Sequence, residues 1–389
     1  MIYDNFLKYV EEGRKGLNRG IPMGFSRLDK FLRGLQKKKY YLVGGSTGTG
    51  KTAFVDEAFL INPYNWIVKN NAKEKLKIFY YSFEIDLESK LAKWVSYQLF
   101  IDERIIVDPE HILGMDMTSE NDIENRLSDE LLEKIKMYKD HFEKLFECIE
   151  FEDVPLHPTA IFNQVDKYFK ENGKFVEYER IVGGVPKKIK YYKPNNPNEY
   201  VIIIIDHIGL VRTERAAKGE GNLTKKGTID RLSAYLIELR NKYKAIPVVV
   251  SQFNRELGDV QRQRFKELIP QLEDYKDSGN TQEDANVVLS LFSPKRYNID
   301  RYLEYDLKST RHDIGDYFRA IFITKNRGGR DSVSLATRFL GHCGYFEELP
   351  RPDEFESNPD YYKAVPDFSK PFSEIIKEIQ SKTYKIKRK

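Results

Sequence analysis

Residues Gly45-Ser46-Thr47-Gly48-Thr49-Gly50-Lys51-Thr52 satisfy the pattern GxxxxGK[ST] at every fixed position. The apolar run Tyr40-Tyr41-Leu42-Val43 stands directly before them, and an amphipathic segment begins at Ala53. A strand, a glycine loop and a helix in that order leave few choices of fold. The strand needs cover on its faces, and the chain must cross over before it can pair again. Glycines let such a loop curl until successive N–H groups point inward, and the helix adds the partial positive charge of its N-terminus. The cradle suits the phosphates of a nucleoside triphosphate. Lys51 is expected to reach the β- and γ-phosphates, and the Thr52 hydroxyl to hold a magnesium ion. All four fixed residues in this context argue against a plain strand-to-helix turn.

The rest of the chain fits an α/β fold. Short apolar runs at Tyr40–Gly44, Lys77–Phe83, Ile149–Asp153, Tyr200–Asp206, Ile246–Gln252, Val287–Phe292, Arg319–Lys325 and Ser332–Phe339 read as strands. Helical patterns at Leu87–Phe100, Ser119–Phe146, Pro158–Phe169 and Ile229–Tyr243 lie between them. That alternation predicts a mostly parallel sheet flanked by helices. Val201-Ile202-Ile203-Ile204-Ile205 has no polar alternation, so it is expected to be a central strand buried on both faces. The charged stretch Ser119–Phe146 reads as one long solvated helix.

Three segments are expected outside this core: a linker helix within residues 1–20, a β-hairpin insertion at 171–199, and a basic tail at 351–389. In the linker helix, Phe6, Tyr9 and Val10 share one face; in the hairpin, Phe175, Tyr178 and Ile181 are expected to face Val185, Ile189 and Tyr191. The ATPase unit is thereby expected to span residues 21–350.

Composition narrows the function classes. A formal net charge of +4 is too small to imply nucleic acid by itself, so local clusters must carry that argument. Cys148 and Cys343 have no metal-ligand spacing and point to a reducing compartment. No apolar run approaches the ~20 residues of a membrane span. A soluble cytoplasmic protein with no membrane partner is the expectation.

Hydrolysis of a triphosphate needs a second acid to orient the metal and a base for the attacking water. Asp206 ends the most apolar strand, where the metal-orienting acid belongs, but the next residue is His207 rather than a glutamate. Glu84 ends the strand after the glycine loop, at the strand edge where ligands of open α/β sheets sit. Either could alone be an ordinary strand-end carboxylate.

Taken together, these residues resemble the C-terminal motor domain of DnaB-type hexameric replicative helicases, within the RecA-like P-loop ATPases. Ser82-Phe83-Glu84 matches the family's glutamate strand end, and Ile202 to Asp206 followed by Ile208-Gly209-Leu210 matches its metal-binding strand. Ser251-Gln252-Phe253-Asn254-Arg255, Tyr275 to Asn286 and Lys325-Asn326-Arg327-Gly328-Gly329 match the later motifs in order, so the resemblance runs from about Gly20 to Leu349. It implies an ATP- and Mg2+-dependent DNA helicase working as a homo-hexamer on single-stranded and forked DNA. Glu84 would polarise the attacking water and Gln252 would sense the γ-phosphate. Lys325 and Arg327 would project into the neighbouring subunit's nucleotide, although alone they could be a basic turn.

In this family the loops after the Asp206 and Gln252 strands line a central channel. The first carries Arg212, Arg215 and Lys225, and the second Arg255, Arg262 and Arg264. These six are the candidate DNA contacts, directed at the backbone and indifferent to base identity. The resemblance also has departures. With only ~20 residues ahead of the motor unit, the family's N-terminal collar domain is expected to be absent. Primase, polymerase and loader remain expected partners, though not through a collar. The hairpin at 171–199 is not a regular family feature. Two further readings compete, a RecA-like strand-exchange ATPase and a ring ATPase with protein partners. Strand displacement on a fork separates the helicase from the first, and DNA-stimulated hydrolysis separates it from the second.

Overall fold

The computed structural model describes residues 2–119, 122, 125–182, 185–215, 221–254, 268–275, 279–308, 314–350 and 372–387. The chain opens with α1 (Ile2–Arg14) and α2 (Ser26–Leu32), then β1 (Tyr41–Gly45) and α3 (Lys51–Asp56). A π-helical turn, Glu57–Ile61, leads into α4 (Asn62–Lys69). Next come β2 (Lys75–Ser82), α5 (Leu87–Glu103), α6 (Pro109–Ile112), α7 (Asp129–Met137), α8 (Lys139–Glu147), β3 (Ile149–Glu152) and α9 (Pro158–Glu171). The hairpin β4 (Gly173–Val182) and β5 (Val185–Pro194) precedes β6 (Glu199–Asp206), α10 (Lys225–Tyr243) and β7 (Ile246–Gln252). After the short helix Gly279–Asp284 follow β8 (Val287–Phe292), the two-residue pair β9 (Arg301–Tyr302) and β10 (Tyr305–Asp306), and β11 (Phe318–Asn326). The last elements are β12 (Val333–Leu340), β13 (Tyr345–Glu348) and a helix, Phe372–Lys387.

Nine strands form one sheet in the order β13-β12-β11-β8-β1-β7-β6-β2-β3. The six from β8 to β3 are mutually parallel, and β11, β12 and β13 extend the sheet in antiparallel fashion. β6 behaves as its composition predicts. Val201, Ile203 and Ile205 pack into the layer of Ile161, Val165, Leu232 and Leu236, while Ile202 and Ile204 pack into the layer of Phe54, Phe59, Trp94 and Leu99. Truncating one of these isoleucines to alanine costs about 2–5 kcal/mol, because the close-packed walls relax only partly.

Two sequence expectations need correction. The stretch Ser119–Phe146 is not one solvated helix. Ser128 caps the start of α7 by accepting from the Leu131 amide, and the chain breaks at Tyr138 before α8. Leu131, Phe142 and Leu145 are buried, so both helices cover the sheet with a narrow apolar stripe under their charge. In the hairpin, Tyr178 lies opposite Ile189 and Val176 opposite Tyr191, but Phe175 lies opposite Tyr192. Residues three apart on a strand point to opposite faces, so Phe175 and Tyr178 cannot share one. Its turn residues, Gly183 and Gly184, lie outside the described residues.

The final helix is attached to the body. Ile375, Ile376 and Thr383 are buried, and the Thr383 hydroxyl accepts from the Ile106 amide at 3.2 Å. By contrast, Tyr3, Phe6, Leu7, Tyr9 and Val10 of α1 are exposed. Among the described residues, no helix is long and apolar enough to cross a membrane.

Candidate nucleotide site

Parallel pairing brings the carboxyl ends of four strands to one edge. Gly45 is in register with Gln252, and Ser82 with Asp206, while β7 joins β1 to β6. Glu84, exposed two residues beyond β2, falls on the same edge. The glycine loop leaves β1 here and enters α3 through backbone that only glycine adopts without strain, with φ 75° at Gly48 and 89° at Gly50. At Gly50 a Cβ would also lie 2.9 Å from the rings of Phe339 and Phe346. Thr49 closes the loop, its hydroxyl donating to the Ser46 carbonyl at 2.8 Å.

Lys51 donates to the same Ser46 carbonyl at 3.1 Å. Burial pushes its ammonium below the usual lysine range, and the charges of Asp206 and Glu84 pull it part of the way back. The ammonium thus sits between loop and acids, where a phosphate would replace the carbonyl as its partner. Asp206 is 2% exposed, and its Oδ1 has no hydrogen-bond partner among the described residues. A buried carboxylate oxygen left without a donor is costly unless a cation or water completes it. Asp206 and Thr52, at the start of α3, are the residues of this edge that could hold a metal ion.

The other oxygen of Asp206 faces a group that sequence reasoning missed. Lys90 on α5 is fully buried, its Nζ 3.8 Å from Asp206 Oδ2 and 3.1 Å from Asp56 Oδ2. Tyr80 donates its hydroxyl to Asp56 Oδ1 at 2.6 Å, and Lys90 Nζ lies 4.6 Å from the Tyr80 ring centre. A lysine among helical charges carries no sequence signal of burial. His207 is held below the usual histidine range by burial, opposed by Glu84 and Asp206, and its Nδ1 accepts from the Gly209 amide. Beside the loop lies a cavity of about 260 Å³ lined in part by Gly50, Thr52, Lys93, Trp94 and Phe339.

Lys325 and Arg327 are not brought to this edge. Lys325 pairs with Val288 and Asn326 with Val287, which align with Leu42 and Tyr41 at the start of β1. The glycine loop leaves from the other end, roughly 13 Å of strand away. Lys325 donates to the Gln282 and Glu283 carbonyls at 2.6 and 2.7 Å, and Arg327 to that of Glu283. Arg240 and Lys39 join them, which the sequence did not reveal. Burial, with Arg327 adding to it, lowers both Lys325 and Arg240, and Lys39 approaches Gly328. Four cations against the two acids Glu283 and Asp284 leave a net positive patch.

Of the candidate DNA residues, Arg212 and Arg215 are exposed on the segment after Asp206. Lys225 begins α10 and donates to the Val211 carbonyl at 2.7 Å. Arg255, Arg262 and Arg264 lie outside the described residues.

Comparison with known proteins shows the family. The sequence model of the DnaB-like helicase C-terminal domain matches residues 20–142 and 176–348. A probable replicative DNA helicase of Trieres chinensis is 24% identical over 293 residues, covering 75% of this chain and 51% of that protein. The replicative DNA helicase DnaB of Helicobacter pylori is 24% identical over 371 residues, covering 89% of this chain and 63% of its own. The chain therefore spans about half to two thirds of the length of these relatives. Among solved structures, an isolated ATPase domain superposes with a TM-score of 0.59 at 17% identity, over 90% of this chain and 99% of that one. A DnaB-like replicative helicase, solved in a study of its interactions with primase, gives 0.60 at 17% identity, over 88% and 67%. The two superpositions show a shared RecA-like fold. On the family match and the ordered site, the chain belongs to the DnaB-like helicase C-terminal domain family.

Proposed function

We propose that this chain is an ATP-hydrolysing motor that assembles as a homo-hexameric ring, moves along single-stranded DNA and parts the duplex. One observation carries the reading. The phosphate loop and its acids lie at one edge of the sheet, while the Lys39, Arg240, Lys325 and Arg327 patch begins at the other. A charge cluster that cannot reach its own nucleotide suits the nucleotide of the next copy, so a complete site requires assembly. The exposed apolar face of α1 suits docking on a neighbour in the same ring.

Gly45, Ser46, Thr47, Gly48, Thr49 and Gly50 would wrap the phosphates, and Lys51 would neutralise the β- and γ-oxygens. Thr52 and Asp206 would hold magnesium, which when bound offsets charge on those oxygens. Glu84 would accept a proton from the attacking water, and Gln252 would register loss of the γ-phosphate beside Gly45. Lys325 and Arg327 of the adjacent copy would stabilise charge developing in the transition state. Such an arginine is worth roughly 10³–10⁵ in rate where it has been studied in GTPases. Arg212, Arg215 and Lys225, with Arg255, Arg262 and Arg264, would track the DNA backbone. A cytoplasmic location and replisome partners such as primase belong to the same proposal.

The test mixes two inactive variants. Glu84→Gln should bind nucleotide and hydrolyse poorly, Lys51→Ala should lose both, and Arg327→Ala should hydrolyse poorly. Rings mixed from Glu84→Gln and Arg327→Ala contain some interfaces with both groups intact. Recovered hydrolysis and fork unwinding in the mixture support catalysis across the interface. Parent-like activity of Arg327→Ala, or an active monomer, refutes the ring. Strand exchange without unwinding would favour the recombination reading.

A further inference from the structure

The hairpin of β4 and β5 has two chemically different faces. On one, Phe175, Glu177 and Glu179 oppose Tyr192, Lys190 and Lys188, and the Lys190–Glu177 ion pair closes at 2.8 Å. This face is neutralised across the strands. On the other, Lys174, Val176 and Tyr178 stand with Val185, Lys187, Ile189, Tyr191 and Lys193, and no position there carries an acid. Lys174, Lys187 and Lys193 are exposed and form no ion pair among the described residues. Tyr178 and Tyr191, 43% and 46% exposed, meet edge to face at 5.6 Å.

The hairpin is held firmly at its root. Tyr192 donates to the Phe169 carbonyl at 2.8 Å and stands edge-on to Tyr243, which stacks on Phe169 at 4.3 Å. From there ten-residue strands project about 30 Å, anchored at one end only. The root is at the start of β6, and Asp206 is at its end, so about 25 Å of strand separates the hairpin from the loops described above.

We propose that the Lys174, Tyr178, Tyr191 and Lys193 face binds single-stranded DNA, at a site separate from the segments following Asp206 and Gln252. Lysines without acids supply attraction to a phosphate chain, and exposed rings supply stacking that any base satisfies. Stacking needs only an open ring and a nearby cation, and this face supplies both. The inference goes beyond the ring reading, since it assigns DNA contact to an element with no part in nucleotide chemistry.

The test measures binding of fluorescein-labelled oligo(dT) to the full chain across a salt series. The Lys174→Ala/Lys187→Ala/Lys193→Ala variant should flatten the log–log salt slope by about 2, at roughly 0.7 per single-strand contact. Tyr178→Ala/Tyr191→Ala should weaken binding roughly 30-fold with the slope kept, at the low end of stacking by two rings. A control on the neutralised face, Lys188→Ala/Lys190→Ala, should shift the slope by less than about 0.7. All these side chains are exposed, and hydrolysis without DNA should stay at the parent level in each variant. If the parent binds oligo(dT) and the triple variant keeps its slope and affinity, the hairpin proposal fails while the ring reading stands. If the parent does not bind DNA at all, the ring reading fails first. Displacement by polyglutamate as effective as by oligo(dT) at equal charge would show an acidic protein surface to be the better ligand, and would overturn the proposal.

Discussion

Replacing Lys90 by methionine should destabilise the fold far more than a typical lysine substitution. The ammonium is fully buried 3.1 Å from Asp56 and 3.8 Å from Asp206. Methionine is likewise unbranched and only one heavy atom shorter, so most of the packing is preserved and the electrostatic loss dominates. Two unit charges at about 4 Å attract by roughly 4 kcal/mol at an effective dielectric constant near 20. Removing one partner of a buried pair leaves the other desolvated, at a cost of about 3–5 kcal/mol. The double variant Lys90→Met/Asp56→Leu removes the closer pair and relieves the repulsion between the two carboxylates, but it leaves Asp206 buried and the Tyr80 hydroxyl without its acceptor, so it offsets only part of the loss. Urea unfolding at fixed protein concentration without nucleotide reads the difference. With a slope of about 3 kcal/mol per molar for a large chain, a loss of about 3–5 kcal/mol should lower the midpoint by roughly 1–1.7 M. The double variant should return part of it. A single variant within about 0.2 M of the parent would refute the argument, and so would a double variant less stable than the single one.

Glu57 provides a pH-dependent prediction. It is 4% exposed, it accepts from the Phe346 amide at 2.9 Å and the Tyr97 hydroxyl at 3.2 Å, and burial pushes its carboxyl up to about 8. Unfolded, it ionises near ~4.3, so between the two values the folded chain holds a proton that the unfolded chain has lost. Stability therefore falls as pH rises through that window and levels off above it. Glu57→Gln, whose carbonyl oxygen can accept from the Phe346 amide while its NH2 donates to the Tyr97 oxygen, should exceed the parent by up to roughly 5 kcal/mol above pH 8 and match it near pH 4. Unfolding midpoints across that range check it, and a pH-independent difference would count against it. Gly50→Ala should lower nucleotide affinity at least tenfold, because φ 89° and the Phe339 and Phe346 rings leave no room for a Cβ. Equilibrium binding of a fluorescent nucleotide reads this, and unchanged affinity would mean that the loop has another conformation when occupied.

Features set by local sequence were the legible ones. The glycine loop could be read because φ values of 75° and 89° demand particular residues at particular spacings. β6 could be read because a strand buried on both faces needs an unbroken apolar run, and α10 because its buried positions recur at helical spacing. Where local signals conflict or are missing, the sequence misleads. Nothing but a change in backbone at Tyr138 divides α7 from α8, with neither glycine nor proline at the break, so continuous charge looks like continuous helix. In the hairpin, aromatic content is visible, but strand parity is needed to sort Phe175 from Tyr178.

What remained hidden is of a different kind, because it depends on which strands become neighbours. Lys90, Asp56, Tyr80 and Asp206 come from α5, α3, β2 and β6, and no spacing rule links them. The order β8-β1-β7-β6-β2 decides that Lys90 meets two carboxylates, and that Lys39 and Arg240 meet Lys325 and Arg327 at the opposite edge. Strand order thus does two things at once. It gathers the residues proposed to bind phosphate on one edge, and it carries Lys39, Arg240, Lys325 and Arg327 to the other. In the proposed ring, a chain built in this way holds both halves of a catalytic site and cannot close them on itself. Its chemistry then waits on a second copy, which is why a mixture of two defective subunits is more informative about it than either subunit alone.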